Sequence, residues 1–288
     1  CGTGGVLVGT PTIDPSTGAG SFDCRFPDGP ASPTVSVTVS DGDGGSDSDQ
    51  VAVTVANVSP EITLAAFNAT SVSCSENTVT LTVDFTDPGA DTWLATIDWG
   101  DGSQVQTVDP ATSPIEVTHT YALAGVYQAS VSVADDDGGV SDSDPNSMGA
   151  QPTTASITVN YTIVGGGFLP PINNTGHGQN PSVFKYGSTI PVKIKVQDCD
   201  GSYPSTLAPR VYVQKMNGST PVDGELEPSS TSAADSGNTM RFTGPPDFQY
   251  IFNLATKSFS TDSTSTWQLI VRIPATGQEI RTTIGLKK

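Results

Sequence analysis

Alternation along the chain constrains its fold more than any other feature. Nine stretches rich in Val and Thr alternate with period two, which predicts half-buried β-strands. Gly, Pro, Asp, Asn and Ser clusters between them predict turns, and no helical periodicity extends beyond two turns. We therefore expect an all-β chain with strands spaced as in β-sandwiches. The stretches are TVSVTVS (34–40), QVAVTVANV (50–58), NTVTLTVDF (77–85), QASVSVAD (128–135), ASITVN (155–160), TIPVKIKVQD (189–198), RVYVQKM (210–216), TWQLIVRIP (266–274) and QEIRTTIGLK (278–287).

Charge is divided unevenly along the 288 residues. Residues 1–164 contain 21 acidic residues and one basic residue, Arg25, whereas residues 165–288 contain 9 acidic and 11 basic residues. A uniformly acidic first half repels nucleic acid and anionic membranes, so neither is an expected partner. The acids lie mostly in Gly- and Ser-rich clusters, which favour turns over helices.

The cysteines and the hydropathy of the chain indicate where the protein is located. Four cysteines in a chain poor in charge fit an oxidising exterior, and we expect an extracellular, cell-surface location. No apolar run reaches the roughly 20 residues that a membrane-spanning helix needs, so no transmembrane segment is predicted. No signal peptide opens the sequence, and the chain is expected to be an excerpt of a longer protein.

An internal repeat organises the first half of the chain. SVTVSDGDGGSDSD at 36 recurs as SVSVADDDGGVSDSD at 130, and CGTGG at 1 aligns with WGDGS at 99. Residues 1–58 therefore correspond to the back half of a repeat whose complete copy occupies 59–160. Either the front strands precede residue 1 in the intact protein, or a strand from a neighbouring chain completes the first copy.

The complete copy resembles a PKD domain, an immunoglobulin-like sandwich. The resemblance rests on WGDG, then HTY, a Gly-x-Tyr, an alternating strand and an acidic Gly turn, all within 92–139. The resemblance implies tandem immunoglobulin-like β-sandwiches: a partial module at 1–58 and a complete module at 59–160. Residues 161–288 are similar to the PxKF domain of secreted bacterial proteins, through GFLPPINN and FKYGSTIPVKIKVQDCDGSYPS, although Ile194 replaces the aromatic residue of the motif.

The WGDG and HTY motifs are interpreted as structural. Trp99 should pack between sheets, while Gly100 and Gly102 allow a tight turn that Asp101 caps. His119 and Tyr121 should satisfy buried polar groups on facing strands. A catalytic role for His119 would need a second base, and the only other histidine is His177 in the C-terminal module.

Calcium is a candidate cofactor, because some of the PKD domains that this module resembles bind Ca²⁺ where two acidic turns meet the linker before the first strand. Carried onto this sequence, the resemblance implies a backbone oxygen near Ser59 and carboxylate ligands that come from TDPGAD (86–91) and DDDGG (135–139). The alternative is that these are solvated acidic turns that keep strand edges apart. The implied ligands are Asp87, Asp91, Asp136 and Asp137.

The repeat also suggests how two of the cysteines pair. Cys1 takes the place of Trp99 and Cys24 lies near the position that matches Tyr121, so a Cys1–Cys24 disulfide is expected. Cys74 and Cys199 lie in different modules. They could join the two modules, pair with another chain or remain free, and the sequence leaves all three alternatives open.

These observations predict a non-catalytic structural or adhesive surface protein, part of a larger layer, filament or stalk. Its expected partners are copies of itself, neighbouring surface proteins or glycans. No GxSxG, HExxH or pair of acids in an apolar setting supports catalysis. The alternative function is a spacer or substrate-binding part of a secreted hydrolase. Six aromatic residues could form a glycan-binding platform, with burial in the core as the competing explanation: Trp93, Tyr203, Tyr212, Phe248, Tyr250 and Trp267.

Overall fold

The computed structural model describes residues 1–141, 153–173 and 181–288. It is all-β, as expected, and consists of tandem immunoglobulin-like β-sandwiches. Helical structure in the described residues is confined to two 3-10 turns, Cys74–Glu76 and Thr256–Ser258. None of the described helices has the length and apolarity needed to span a membrane.

The chain divides into two compact units. Unit 1 comprises residues 1–68, 80–118 and 128–155, and unit 2 comprises residues 69–79, 119–127 and 156–288. The three-module division at 1–58, 59–160 and 161–288 describes the sequence repeat and stays a prediction; we use it below to name the modules.

The first module contains four strands in two hairpins. The strands are β1 (Val6–Ile13), β2 (Gly20–Arg25), β3 (Thr34–Ser40) and β4 (Ser46–Ala52). β1 pairs with β2 and β3 with β4, each antiparallel, and the hairpins form separate two-stranded sheets. Val35 is the only buried apolar residue in these four strands. The module therefore lacks a closed core.

The second module is a two-sheet sandwich. Its strands are β5 (Glu61–Phe67), β6 (Ser71–Ser73), β7 (Thr78–Thr86), β8 (Trp93–Asp98), β9 (Gln106–Ala111), β10 (Ile115–Thr120), β11 (Gly125–Asp135) and β12 (Thr153–Asn160). One sheet has the order β10-β7-β5 and the other β6-β12-β11-β8-β9. Alternate residues of β7, β8 and β11 are buried, because their inward side chains form the sandwich core.

The C-terminal module is a second complete sandwich. Its strands are β13 (Thr162–Phe168), β14 (Ser182–Lys185), β15 (Thr189–Gln197), β16 (Arg210–Asn217), β17 (Thr220–Pro221), β18 (Arg241–Phe242), β19 (Tyr250–Ala255), β20 (Ser265–Ile273) and β21 (Gln278–Lys287). The sheets have the orders β13-β15-β19-β18 and β14-β21-β20-β16-β17. Their facing residues make one apolar core that includes Ile194, Phe252 and Leu269.

The aligned glycines of the two repeats have the same backbone environment. Gly2 and Gly100 have φ values of 76° and 74°, which favour glycine. A Cβ on Gly2 would lie 2.4 Å from the Thr34 carbonyl oxygen, and one on Gly100 would lie 2.3 Å from the Gln128 carbonyl oxygen. Thr34 and Gln128 occupy equivalent positions of the repeat, so both modules build the same close approach.

One predicted strand is misplaced. The alternating stretch 50–58 was expected to form the strand after the acidic turn, but β4 spans Ser46–Ala52 and so includes Asp47 and Asp49. All seven residues of β4 are exposed, and its bounds follow from its pairing with β3, in which Asp47 lies opposite Val39 and Asp49 opposite Val37. The alternating stretches also left several strands undetected, among them β1, β13 and β19.

Candidate cation site

The acidic turn that follows β11 is organised by Asp135. Its Oδ1 accepts hydrogen bonds from the backbone N–H groups of Asp137 (3.0 Å) and Gly139 (2.6 Å). Its Oδ2 accepts one from Asn57 Nδ2 at 2.9 Å. Asp135 is therefore a structural acceptor that closes the turn and ties it to the linker after the first module.

The same turn geometry appears in the first module. Asp41 Oδ1 accepts hydrogen bonds from the N–H groups of Asp43 (2.9 Å) and Gly45 (3.0 Å). Asp41 and Asp135 are equivalent in the repeat, so this part of the acidic cluster is explained by turn formation alone.

Three other carboxylates converge within unit 1. Asp28, Asp91 and Asp137 each offer one oxygen, and these oxygens all lie within 4.8 Å of one another. Asp137 comes from the turn after β11, Asp91 from the turn between β7 and β8, and Asp28 from the loop after β2. A groove of about 180 Å³, lined by Asp28, Asn57 and Gly89 among others, adjoins them.

Asp91 is the unusual member of this group. Its side chain is only 8% exposed, and neither carboxylate oxygen has a hydrogen-bond partner in the described structure. Burial, followed by repulsion from Asp87, Asp28, Asp135 and Asp136, raises its pKa to about 6. A buried carboxylate without a donor is costly, and a bound cation would remove that cost.

The carboxyl of Asp137 is perturbed in the same direction. Desolvation raises its pKa first, and repulsion from Asp28, Asp136 and Asp135 adds to the effect. For both carboxyls, desolvation is the first cause of the raised pKa and repulsion from neighbouring carboxylates is the second.

Two of the four implied ligands lie outside this group. Asp87 accepts hydrogen bonds from Trp93 Nε1 at 3.0 Å and from the N–H of Gly89 at 3.1 Å. Asp136 accepts the N–H of Thr92 at 2.9 Å, and this bond lowers its pKa. Both carboxylates therefore hold the turn that carries Asp91, and their role as ligands stays a prediction.

Asp28 could not be identified from the sequence. It lies in DCRFPDG, within the first module, and only the tertiary fold brings this loop to Asp91. Carboxylate oxygens on separate loops are the ligands that Ca²⁺ prefers, and three of them, one buried and without a donor, fit a hard divalent cation.

The WGDG and HTY residues occupy structural positions. Trp99 is buried, contacts Phe67 and donates from Nε1 to Gln106 Oε1 at 3.2 Å. Gly100 and Gly102 both have positive φ, and Asp101 Oδ1 accepts the N–H of Ser103 at 3.0 Å. The ring of Tyr121 is fully buried and packs edge-on against His119. His177 lies outside the described residues.

The four cysteines form two disulfides. Cys1 bonds to Cys24, the expected pair, and Cys74 bonds to Cys199. Of the alternatives left open for Cys74 and Cys199, the structure therefore has the one that joins the second and C-terminal modules. Asp198 adds to this contact within unit 2, because its Oδ1 accepts the N–H of Ala124 at 2.6 Å.

The aromatic residues considered for glycan binding have separate environments. Tyr250 and Trp267 are buried in the core of the C-terminal module. Tyr203 stacks on Phe248, and Lys195 Nζ lies 4.4 Å from the centre of the Tyr203 ring. In unit 1, Trp93 packs edge-on against Phe85. Packing against other side chains of the protein therefore accounts for most of these six aromatic residues.

The fold and these packing residues define the class of protein, a chain of tandem immunoglobulin-like β-sandwich modules. More particularly, residues 57–149 match the family model of the PKD domain. The match covers one module. The PxKF-like resemblance of residues 161–288 stays a prediction. No curated protein matches the chain.

Several solved structures resemble the chain. The PKD domain of an M14-like peptidase from Thermoplasmatales archaeon SCGC AB-540-F20 is 24% identical, with 35% of this chain and 92% of that chain covered and a TM-score of 0.27. A 1.5-MDa bacterial ice-binding adhesin is 15% identical over 96% of this chain and 80% of that chain (TM-score 0.30). A C-terminal fragment of intimin is 16% identical, with 79% of this chain and 64% of that chain covered and a TM-score of 0.30. These similarities assign no function to this chain.

Proposed function

We propose that this chain is a non-catalytic extracellular protein with a structural or adhesive role, a rigid tandem-module part of a cell-surface layer, filament or stalk. The observation that carries the proposal is the Cys74–Cys199 disulfide. It joins the turn after β6 to the turn after β15, so the second and C-terminal modules are covalently tied as well as consecutive. A tie of this kind resists extension and persists in an oxidising exterior.

A surface location is tested by labelling intact cells. An antibody raised against residues 1–288 is expected to bind unpermeabilised cells of the source organism, and protease added outside should remove the signal. Labelling that appears only after lysis contradicts the proposal.

The mechanical role is tested by pulling single molecules from their two ends. The oxidised chain should release about 400 Å less length than the Cys74→Ser/Cys199→Ser variant, because the disulfide keeps the 125-residue separation between Cys74 and Cys199 closed. Both chains retain the Cys1–Cys24 disulfide, so the difference in length reports only the Cys74–Cys199 bond. Equal extension of the oxidised chain and this variant contradicts a mechanical tie.

We further propose that Ca²⁺ binds between Asp28, Asp91 and Asp137. When bound, the cation supplies the positive charge that these carboxylates lack. Asp91 would be an inner ligand because its oxygens are buried and without donors, and Asp28 would attach the loop after β2 to the second module. Asp87, Asp135 and Asp136 hold the turns in place.

Calcium binding is tested by melting temperature in chelator and in excess Ca²⁺. Calcium should raise the melting temperature of the wild-type chain, since a ligand that binds only the folded state stabilises it. Asp91→Asn should abolish the shift and melt no lower than wild type in chelator, because the substitution removes a buried, repelled charge. Asp49→Asn on β4 is the matched control and should keep the shift. An equal shift in wild type and Asp91→Asn excludes the site.

An accessory role in a secreted hydrolase is the second candidate, because residues 57–149 match a module type that accompanies such enzymes. Sequencing the gene upstream of residue 1 separates the two, because further repeats favour the surface protein and a catalytic domain favours the accessory role. Binding to immobilised glycans or collagen then separates adhesion from a purely structural role.

A further inference from the structure

Five Asn-x-Ser/Thr sequences lie in the chain, and each has the pattern that N-glycosylation requires. An attached glycan is bulky and hydrophilic, so the folded chain can carry one only where the asparagine amide faces solvent and the fold does not need it. The positions of the five asparagines in the structure therefore distinguish among them. These asparagines are Asn57, Asn68, Asn160, Asn173 and Asn217.

Two of these asparagines are committed to contacts of the second module. Asn57 is half-buried, and its Nδ2 donates to Asp135 Oδ2 at 2.9 Å. Asn160 ends β12, where it pairs with Ser73 of β6, and the next residue, Tyr161, is only 7% exposed. A glycan on either asparagine would displace these contacts.

Asn68 is held by β7, and the Asn173 sequence extends outside the described residues. The backbone N–H of Asn68 donates to the Thr80 carbonyl oxygen at 2.9 Å, and Asn68 Oδ1 accepts the Thr80 N–H at 3.1 Å. These two bonds fix the backbone and the amide of Asn68 against the strand. Ala69, the middle residue of this sequence, is half-buried.

Asn217 lies at the tip of the hairpin formed by β16 and β17. It pairs with Thr220 across a two-residue turn, in which Gly218 has a φ of 63°. Residues 217–220 are all exposed. The Asn217 side chain makes no hydrogen bond to any described residue. Among the four sequences that are described completely, this is the one whose three residues all face solvent.

A concavity of about 520 Å³ lies beside Asn217. Polar side chains line most of it, among them Lys215, Asp262 and Thr266, and Lys215 Nζ donates to Asp262 Oδ2 at 2.6 Å. Ammonium, carboxylate and hydroxyl groups supply the donors and acceptors that sugar hydroxyls need. The surface next to Asn217 can therefore receive the first sugar of a glycan without displacing core residues.

We propose that Asn217 is an N-glycosylation site that carries an oligosaccharide at the hairpin tip of the C-terminal module. The inference rests on the extracellular location in the proposed function, because the glycan donor is used outside the cytoplasm. This donor is an oligosaccharide linked through a diphosphate to a membrane lipid, and a transferase of the cell catalyses the reaction.

The transfer exchanges one bond for another. A bond forms between Asn217 Nδ2 and the anomeric carbon of the first sugar, and the bond between that carbon and the diphosphate oxygen breaks. Its electron pair leaves with the lipid diphosphate, and Nδ2 loses one of its two protons to a base of the transferase. Nothing is oxidised or reduced, and the product is an amide-linked glycan.

Mass spectrometry of the full chain purified from its source organism tests the proposal. Trypsin cuts after Lys215 and Arg241, and the resulting 216–241 peptide contains Asn217 as its only Asn-x-Ser/Thr asparagine. The mass of this peptide should exceed that of the unmodified peptide by an oligosaccharide. Fragmentation that preserves glycans should place the oligosaccharide on Asn217.

Four variants made in the source organism separate N-glycosylation from other modifications. Asn217→Gln and Ser219→Ala should each remove the added mass completely, whereas Ser219→Thr should retain it, because threonine also satisfies the pattern. Thr220→Ala is the matched control, one residue beyond the pattern, and should retain the added mass. Because all these side chains are exposed, each variant should melt within about 2 °C of wild type.

Three results would overturn the proposal. The first is an unmodified 216–241 peptide in chain recovered from the cell surface, which leaves the proposed function intact. The second is an added mass that Asn217→Gln retains, because the modification would then lie on a hydroxyl group. The third is chain found only inside cells, which overturns this proposal together with the proposed function.

Discussion

The first and second modules share their turns but differ in their cores. Asp41 and Asp135 close the same acidic turn, and Gly2 and Gly100 make the same approach to a carbonyl. Yet Val37 and Val39 are exposed where Val131 and Val133 are buried. The difference shows that turn geometry is set by a few neighbouring residues, whereas burial depends on how many strands pack together, and β1 to β4 form two separate two-stranded sheets.

The largest effect should come from placing a charge at equivalent positions of β3 and β11. Val131→Asp should destabilise the second module by more than about 4 kcal/mol, because it buries an unpaired carboxylate. Val37→Asp should change stability by no more than about 0.5 kcal/mol, because the side chain remains in water. Calorimetry of both variants measures the contrast, and similar losses would mean that the first module has a closed core in solution.

The next largest effect concerns the disulfide specific to the first module. Cys1→Ser/Cys24→Ser should reduce the local stability of β1 and β2 by about 3 kcal/mol, because the bridge closes a short loop in a module with few buried residues. Hydrogen exchange of the β1 and β2 amides measures the loss, with β7 and β11 as internal references. Unchanged exchange in β1 and β2 would show that the hairpin holds itself together.

Glycine substitution should affect both modules alike. Gly2→Ala and Gly100→Ala should each cost about 2 kcal/mol, because each adds a methyl group against a backbone carbonyl at positive φ. Gly4→Ala and Gly102→Ala are matched controls in open space and should cost about 1 kcal/mol from the positive φ alone. Thermal unfolding measures all four, and a large effect in only one module would break the equivalence of the turns.

The smallest effect should be on Ca²⁺ affinity, and it should distinguish the acidic turn of the second module from that of the first. Asp137→Asn should weaken Ca²⁺ binding about tenfold, because it removes one of three converging carboxylates. Asp43→Asn, the equivalent change in the first module, should leave the affinity unchanged because no second carboxylate turn converges there. Calcium titration calorimetry measures both. Weaker binding in Asp43→Asn would place a cation at the first turn.

Local patterning predicted the fold class well, since alternation depends only on neighbouring residues. β3 and β21 begin and end where their alternating stretches do. Strands with irregular alternation, such as β13 with its three consecutive glycines, could not be recognised because their pairing comes from β15. The candidate site shows the same division. The acidic turns in the sequence predict Asp91 and Asp137 as site residues, but the hydrogen bonds that Asp87 and Asp136 accept became visible only in the structure.

By itself, the sequence determined the alternating strands, the glycine and aspartate turns, and the repeat, because these features depend on residues that are close along the chain. Only the tertiary structure decided that Asp28 lies beside Asp91, that Cys74 bonds to Cys199, and that Val37 remains in water. These three features depend on which distant segments of the chain come into contact. The contacts are set by how whole sheets pair and bury their side chains, and a local sequence pattern carries no information about that.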